Sequence, residues 1–215
     1  MPYLEWMSTV FNTSNENEYW SKRYAEQRTG WDIGAPSTPL KAYIDQLPDD
    51  SQLRILIPGA GNAYEAEYLF ASGYQQVFVL DIAEAPLQAF QQRVPHFPST
   101  HLICDNFFTH QQNYDLILEQ TFFCSFPPTS ENRQAYAQKT AELLPVGGKL
   151  VGLWFSFPLT SAQEREEMEK RPFGGSKEEY LTYLTPFFSV KTFAPCYNSI
   201  PPRQGNELFG IFERM

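Results

Sequence analysis

The sequence has 215 residues, a length that suits one domain with a full hydrophobic core. Its 16 basic and 25 acidic residues leave a formal net charge of −9. This acidic balance argues against nucleic acid as a partner, because phosphate binding needs clustered Lys and Arg.

The N-terminal part predicts two short helices separated by a loop. Glu18–Gln27 places Trp20 and Tyr24 four residues apart, on one helical face. The following loop is rich in glycine and proline and holds Trp31, whose ring either docks this segment onto the core or covers a ligand. Leu40–Leu47 is the second helix.

The next stretch predicts a strand, a glycine turn, a helix and a second strand. Arg54–Ile57 is a short apolar strand, and the turn after it contains Gly59 and Gly61. A helix over Ala63–Ala71 leads to a second apolar run that finishes on Asp81. A carboxylate about 20 residues after such a turn is placed to accept both hydroxyls of a ribose.

The turn favours S-adenosylmethionine over a dinucleotide, although an ordinary strand-to-helix turn in an α/β protein stays an alternative. A dinucleotide fold needs a third glycine, and Glu65 stands at that position. Glu65 and Glu67 would also repel a pyrophosphate, whereas S-adenosylmethionine has no phosphate and carries a cationic sulfonium.

Further strands, among them a fourth over Tyr114–Leu118, alternate with helices such as Arg133–Leu144, which predicts a parallel, doubly wound sheet. Polar residues follow the third and fourth strands, on the rim where open sheets bind ligands. These are Asp105, Asn106, Glu119 and Gln120.

After the fifth strand, Lys149–Phe155, the pattern changes. Residues 160–177 are charged and contain glycine, so we expect a surface insertion or a lid. The last two strands, Phe188–Ala194 and Glu207–Arg214, are joined without a helix, which predicts an antiparallel end to the sheet.

We therefore expect a single α/β domain over residues 1–215, with a Rossmann-like class I methyltransferase fold: a mostly parallel seven-stranded sheet, helices on both faces and a C-terminal antiparallel hairpin.

Cysteine usage and the N-terminus predict a cytoplasmic protein. Cys104, Cys124 and Cys196 lack metal-ligand spacing, so we expect free thiols and no metal. We see no signal peptide and no stretch long enough to cross a membrane. We expect a monomer with no membrane partner.

Four stretches of the chain carry a resemblance to known proteins. They are YWSKRYAEQRTGWDIGAPSTPL, RILIPGAGNAYEA with VFVLDIAEAPL, NYDLILEQTFFCSFPP with AELLPVGGKL, and NSIPPRQGNELFGIFER. They resemble the thiopurine S-methyltransferase superfamily, and most closely its thiol and halide methyltransferase branch. The resemblance covers nearly the whole chain, and its first and last stretches are the most specific.

The resemblance implies S-adenosylmethionine as the cofactor and assigns residues to it. Residues 1–47 would form a segment that covers the cofactor, and its three aromatic residues Trp20, Tyr24 and Trp31 would close over the methionine half of the cofactor. Gly59 would lie under it, Asp81 would hold the ribose, and Asp105 with Asn106 would flank the adenine. We add Gly61, Glu119 and Gln120 to the expected cofactor site. Tyr24 and Gln120 depart from the branch, which has Trp and Tyr at these positions.

The expected reaction is in-line methyl transfer to a small soft nucleophile: a thiol, hydrosulfide, thiocyanate or a halide. Such an acceptor needs little base, a small apolar pocket and one polar anchor. Our candidates for the pocket are Phe122, Phe123, Phe126, Trp154, Tyr197 and the anion-facing Arg203. An aromatic thiol or a metalloid oxyanion such as tellurite stays open as the acceptor, as does a non-catalytic S-adenosylmethionine-binding protein. A dehydrogenase is disfavoured by Glu65 and the late hairpin.

Overall fold

The computed structural model describes residues 13–157 and 171–215. The chain forms two compact units, the first ending at Gln112 and the second beginning at Asn113. The helices are α1 Thr13–Ala25, α2 Thr38–Ile44, α3 Tyr64–Ala71, α4 Glu84–Arg93, α5 Ser130–Glu142 and α6 Lys177–Leu184. The strands are β1 Ile55–Pro58, β2 Val77–Asp81, β3 Leu102–Cys104, β4 Leu116–Gln120, β5 Lys149–Phe155, β6 Phe188–Pro195 and β7 Glu207–Arg214.

Strands in the first unit are parallel and buried. β2 pairs with β1, with Ile55 opposite Val77, and with β3, with Asp81 opposite Cys104. All residues of β1 and β2 are buried. This burial explains the apolar runs in the sequence of these strands, which are typical of a parallel sheet covered on both faces.

Strands in the second unit end in an antiparallel hairpin. β4 runs parallel to β5, whereas β7 is antiparallel to β5 and to β6. The whole sheet has the order β3-β2-β1-β4-β5-β7-β6. This confirms the predicted seven-stranded, mostly parallel sheet with a C-terminal hairpin.

Several boundaries differ from the predicted ones because local hydrogen bonds decide them. Helix α5 was expected from Arg133 but begins three residues earlier, since the Thr129 hydroxyl accepts from the Asn132 N–H at 3.2 Å and caps it. The fourth strand was expected over Tyr114–Leu118 but begins at Leu116, and the Tyr114 N–H bonds the Leu143 carbonyl instead.

The predicted insertion at 160–177 lies mostly outside the described residues. At its described end Phe173 is 1 % exposed, and its N–H donates to the Cys124 carbonyl at 2.8 Å. Gly174 and Gly175 are also buried, the first against Phe157 and the second against the Tyr180 ring. Residues 173–175 are therefore packed, whereas Pro172, Ser176 and Lys177 beside them are exposed to solvent.

Candidate functional site

The glycine turn after β1 has a left-handed backbone at alternate residues. The φ angles of Gly59, Gly61 and Ala63 are 54°, 54° and 53°. A Cβ on Gly61 would lie 3.2 Å from the Tyr24 hydroxyl and 3.7 Å from Trp31 Nε1. Glycine at position 61 is therefore favoured by its left-handed backbone angle and by the close approach of the Tyr24 hydroxyl.

Asp81 joins the end of β2 to this turn. Its Oδ2 accepts from the Gly61 N–H and its Oδ1 from the Ala83 N–H, both at 2.9 Å. The side chain is buried, and this burial raises the pKa of Asp81 to about 6, opposed by backbone hydrogen bonds that favour the charged form. The carboxylate therefore fixes the turn and retains further lone pairs for hydroxyl donors.

The three N-terminal aromatic residues form one group centred on Trp31. Its ring meets Trp20 edge-on at 5.3 Å and Tyr24 edge-on at 5.7 Å. A hydrogen bond links the side chains of Trp31 and Tyr24, with the indole N–H as the donor. Burial, followed by the charge of Asp81, raises the pKa of Tyr24, so this phenol stays neutral. The three rings are half-buried and retain exposed surface.

Two polar contacts hold the N-terminal cover, residues 13–37, against the glycine turn. The Asn62 amide donates to the Asp32 carboxylate, and the Ser37 N–H donates to Glu65 Oε1 at 2.9 Å. Glu65 is 6 % exposed, so its carboxylate faces Ser37. One oxygen of the Glu65 carboxylate is thus used by the Ser37 N–H, and the missing third glycine and the antiparallel hairpin still disfavour a dinucleotide.

Replacing Glu65 tests how firmly the cover is anchored. We expect Glu65→Ala to lower the free energy of unfolding by about 1–3 kcal/mol, because it leaves the buried Ser37 N–H without its acceptor. Thermal unfolding measures this loss, and Glu65→Gln, which keeps the acceptor oxygen, should recover most of it. Equal losses in the two variants would contradict the assigned hydrogen bond.

Asp105 and Asn106, the expected adenine neighbours, form a turn after β3. The Asn106 Oδ1 accepts from the Phe108 N–H at 2.9 Å, and Asp105 Oδ1 accepts from the Asn106 N–H at 2.7 Å. Asn106 is buried, whereas the Asp105 side chain is 45 % exposed. The Asn106 oxygen is thus committed to its own turn, and the assignment of both residues to adenine stays a prediction.

In the second unit, Glu119 and Gln120 end β4 and lead into an aromatic turn. Glu119 is 0 % exposed, and its Oε1 accepts from the N–H groups of Phe122 and Phe123 at 2.9 and 2.8 Å. Gln120 is half-buried. Thr121 follows with a φ of 59°, an unfavourable angle for a β-branched residue.

The expected acceptor residues Phe122, Phe123 and Phe126 come together around Tyr136 of α5. Ring centroids of these residues lie 6.2, 4.8 and 6.4 Å from that of Tyr136. Phe123 and Phe126 are buried, while Phe122 is half-buried and meets Phe126 edge-on at 4.7 Å. Phe122 is therefore the ring of the three with the most accessible surface.

The remaining acceptor candidates do not join this group. Trp154 is 1 % exposed and packs edge-on against Phe193 and Phe212, at 5.7 and 5.5 Å, as a core residue. Tyr197 is 89 % exposed. Arg203 lies over the Phe155 ring at 5.4 Å, and its Nη1 is 3.4 Å from Glu207 Oε1.

Comparison with known proteins identifies the family. The family model of thiopurine S-methyltransferase matches residues 15–213. The chain belongs to the thiopurine S-methyltransferase family. It is 28 % identical to the probable thiol methyltransferase 2 of Arabidopsis thaliana, over 94 % of this chain and 87 % of that protein. It is 29 % identical to thiocyanate methyltransferase 1 of the same plant, over 100 % of this chain and 92 % of that protein.

A solved methyltransferase shares the fold of this thiopurine S-methyltransferase family member. The 1,6-didemethyltoxoflavin-N1-methyltransferase of Burkholderia thailandensis superposes with a TM-score of 0.71 and 15 % identity, covering 93 % of this chain and 87 % of that one. The predicted family and fold are confirmed. The chain is an S-adenosylmethionine-dependent methyltransferase.

The described residues fit the cofactor of this family. Gly61 leaves space that a Cβ would fill, and Asp81 presents a carboxylate behind it. Among residues 13–157 and 171–215, no three His, Cys, Asp or Glu side chains gather as metal ligands. No helix in this part of the chain is long and apolar enough to cross a membrane.

Sequence reasoning missed Arg133 of α5, whose guanidinium lies over two aromatic rings. Its guanidinium lies 5.0 Å from the Phe123 ring and 5.3 Å from the Tyr180 ring, donates to the Gly174 carbonyl at 2.8 Å, and is 3.1 Å from Glu179 Oε1. It is 3 % exposed. No local signal distinguishes Arg133 from the polar residues around it in α5, because its polar partners, Gly174 and Glu179, lie more than 40 residues away in sequence.

Proposed function

We propose that this enzyme methylates small soft nucleophiles, with thiols and hydrosulfide ahead of halides. The observation that carries the proposal is the match to a thiol and a thiocyanate methyltransferase over 94 % and 100 % of this chain. The aromatic turn after β4 supports it, because polarisable sulfur packs well against aromatic rings.

We assign the cofactor to the first unit. Gly59 and Gly61 allow close approach to the turn, Asp81 accepts the ribose hydroxyls, and Asp105 with Asn106 flank the adenine. The exposed faces of Trp20, Tyr24 and Trp31 cover the sulfonium, whose charge the rings stabilise by cation–π attraction. When bound, S-adenosylmethionine supplies an activated methyl group, so the protein's task is to orient the acceptor and exclude water.

We assign the acceptor to the turn that carries Phe122, Phe123 and Phe126, with Gln120 beside it. Arg203 was expected to attract an anion, but Glu207 Oε1 lies 3.4 Å from its Nη1 and offsets its charge. Arg133 is likewise paired with Glu179. Charge-balanced cations attract a halide weakly, whereas hydrogen sulfide and thiols can also bind in their neutral S–H form and do not depend on that attraction.

Headspace gas chromatography tests the proposal on purified enzyme with S-adenosylmethionine. Separate reactions receive hydrosulfide, thiocyanate or iodide, and a parallel reaction with thiophenol is followed by liquid chromatography. We expect methanethiol from hydrosulfide at a higher rate than methyl iodide from iodide. Reactions without enzyme and without acceptor provide the background.

The other outcomes discriminate among the alternatives. Thiophenol methylation without volatile product would assign an aromatic thiol as the acceptor. Cofactor binding by calorimetry with no methylated product from any of the four would contradict the proposal and favour a binding protein. Iodide turned over faster than hydrosulfide would contradict the charge argument alone.

A further inference from the structure

Glu119 holds the acceptor turn, Thr121–Phe126, in place. Two consecutive N–H groups of this turn, those of Phe122 and Phe123, donate to one oxygen of its carboxyl at 2.9 and 2.8 Å. The turn starts at Thr121, whose positive φ of 59° costs energy in a β-branched residue. The hydrogen bonds from Glu119 therefore oppose a local backbone strain that would otherwise open the turn.

Gly152 makes room for this carboxyl inside the sheet. It lies opposite Glu119 in the β4–β5 pair, and a Cβ on it would be 2.8 Å from Glu119 Cβ and 3.0 Å from Oε2. Oε2 is buried and has no hydrogen-bond partner among the described residues. Oε1 thus accepts the hydrogen bonds of the turn, and Oε2 lies in a buried, closely packed environment.

This environment makes a charged carboxylate costly. Burial raises the pKa of Glu119 to about 8, with a small further rise from Glu207 and a reduction from the two backbone N–H groups. An ionised Oε2 would need a new partner, and the cost of a buried unsatisfied charge exceeds the gain from strengthening two hydrogen bonds. The buried environment of the closed turn therefore favours the protonated form of the Glu119 carboxyl.

Two acidic groups next to Glu119 keep their protons through the neutral range. Burial raises the pKa of Tyr136 in α5 and of the Cys124 thiol in the turn, so both stay neutral. The charged groups on the β7 side are Glu207 and Arg203, which are paired at 3.4 Å. Of Glu119, Tyr136 and Cys124, Glu119 is therefore the group whose charge changes as the pH rises to about 8.

We propose that Glu119 is a positioning residue for the acceptor, and that ionisation of its carboxyl opens the turn and weakens acceptor binding. The proposal rests on the proposed function, which assigns the turn to the acceptor. The sign follows from linkage. A carboxyl that is protonated in the closed turn and hydrated in the open turn binds its proton more tightly when closed, so loss of the proton favours the open form.

The first test is the pH profile of acceptor KM, with thiocyanate as the probe because its charge is constant from pH 6 to 10. We expect the KM of the wild-type enzyme to rise about tenfold between pH 6 and 8 and to level off above pH 8, while kcat changes little. Glu119→Gln keeps the acceptor oxygen and cannot ionise, so its KM should be nearly independent of pH. A wild-type profile retained in Glu119→Gln would overturn the proposal, as would a change in kcat alone.

The second test, hydrogen exchange of the Phe122 and Phe123 amides, needs no acceptor. Their protection, corrected for intrinsic exchange, should fall as the pH rises towards 8 and level off above it in the wild-type protein, and it should stay constant in Glu119→Gln. The exposed Glu131→Gln variant in α5 is the matched control and should follow the wild type. If protection depends on pH but the protein methylates nothing, the proposed function is refuted and the pH-dependent hold of Glu119 on the turn stands. If the enzyme is active but protection does not depend on pH, the proposed function stands and the role of Glu119 is refuted.

Discussion

Asp81→Ala is expected to weaken S-adenosylmethionine binding roughly 10- to 100-fold, the largest effect on ligand affinity among our predictions. The substitution removes the proposed ribose acceptor and also the oxygens that hold the Gly61 and Ala83 N–H groups at 2.9 Å. Isothermal titration calorimetry with S-adenosylmethionine and S-adenosylhomocysteine measures the loss. Asp49→Ala, at an exposed carboxylate of the same unit, should leave the affinity unchanged.

The pH dependence of this affinity gives an independent readout. The pKa of Asp81 is raised to about 6, so the carboxyl becomes neutral and a poorer acceptor as the pH falls below that value. Binding should therefore weaken from pH 7 to pH 5 in the wild type, and this slope should disappear in Asp81→Asn. An unchanged affinity in Asp81→Ala would remove this residue from the cofactor site.

Arg133→Ala is expected to cause the largest loss of stability, about 3 kcal/mol, or roughly 10 °C in Tm. The substitution removes a guanidinium that is 3 % exposed, together with its hydrogen bond to Gly174 and its contacts with two aromatic rings. It also leaves Glu179, whose side chain is 19 % exposed, without its cation.

Differential scanning calorimetry measures this loss, with two comparison variants. Arg133→Lys keeps the charge but not the planar fork, so we expect an intermediate Tm. Gln134→Ala changes the exposed neighbouring residue of α5 and should unfold near the wild-type temperature. A Tm for Arg133→Ala equal to that of Gln134→Ala would show that the guanidinium does not support this packing.

Local patterns predicted most of the secondary structure. Burial is indicated by the apolar runs of β1 and β2, and left-handed backbone angles are indicated by Gly59 and Gly61 in the turn between them. Both are properties of a few neighbouring residues. The prediction was less accurate where a contact from outside the segment decides a boundary. Tyr114, expected in a strand, lies outside β4 because its N–H bonds the distant Leu143 carbonyl.

The roles of charged residues were harder to predict, because a charge acts through its partner. Glu65 was interpreted by its charge and by its place at the third-glycine position, and neither showed that its carboxylate accepts from the Ser37 N–H, 28 residues away. Arg203 was expected to face an anion and is paired with Glu207. Burial and pairing change the effect of a charge by several kcal/mol, and neither can be read from sequence spacing.

By itself, the sequence determined the family, the sheet with its late hairpin and the cofactor. These follow from periodicity and from motifs whose residues are close together in the chain. Tertiary structure alone decided which side chains share an environment: Trp31 between Trp20 and Tyr24, Glu119 beneath the aromatic turn, and Arg133 among its rings. The physical reason is that hydrogen bonds, ring contacts and desolvation depend on distances of a few ångströms, which the fold sets between residues far apart in sequence.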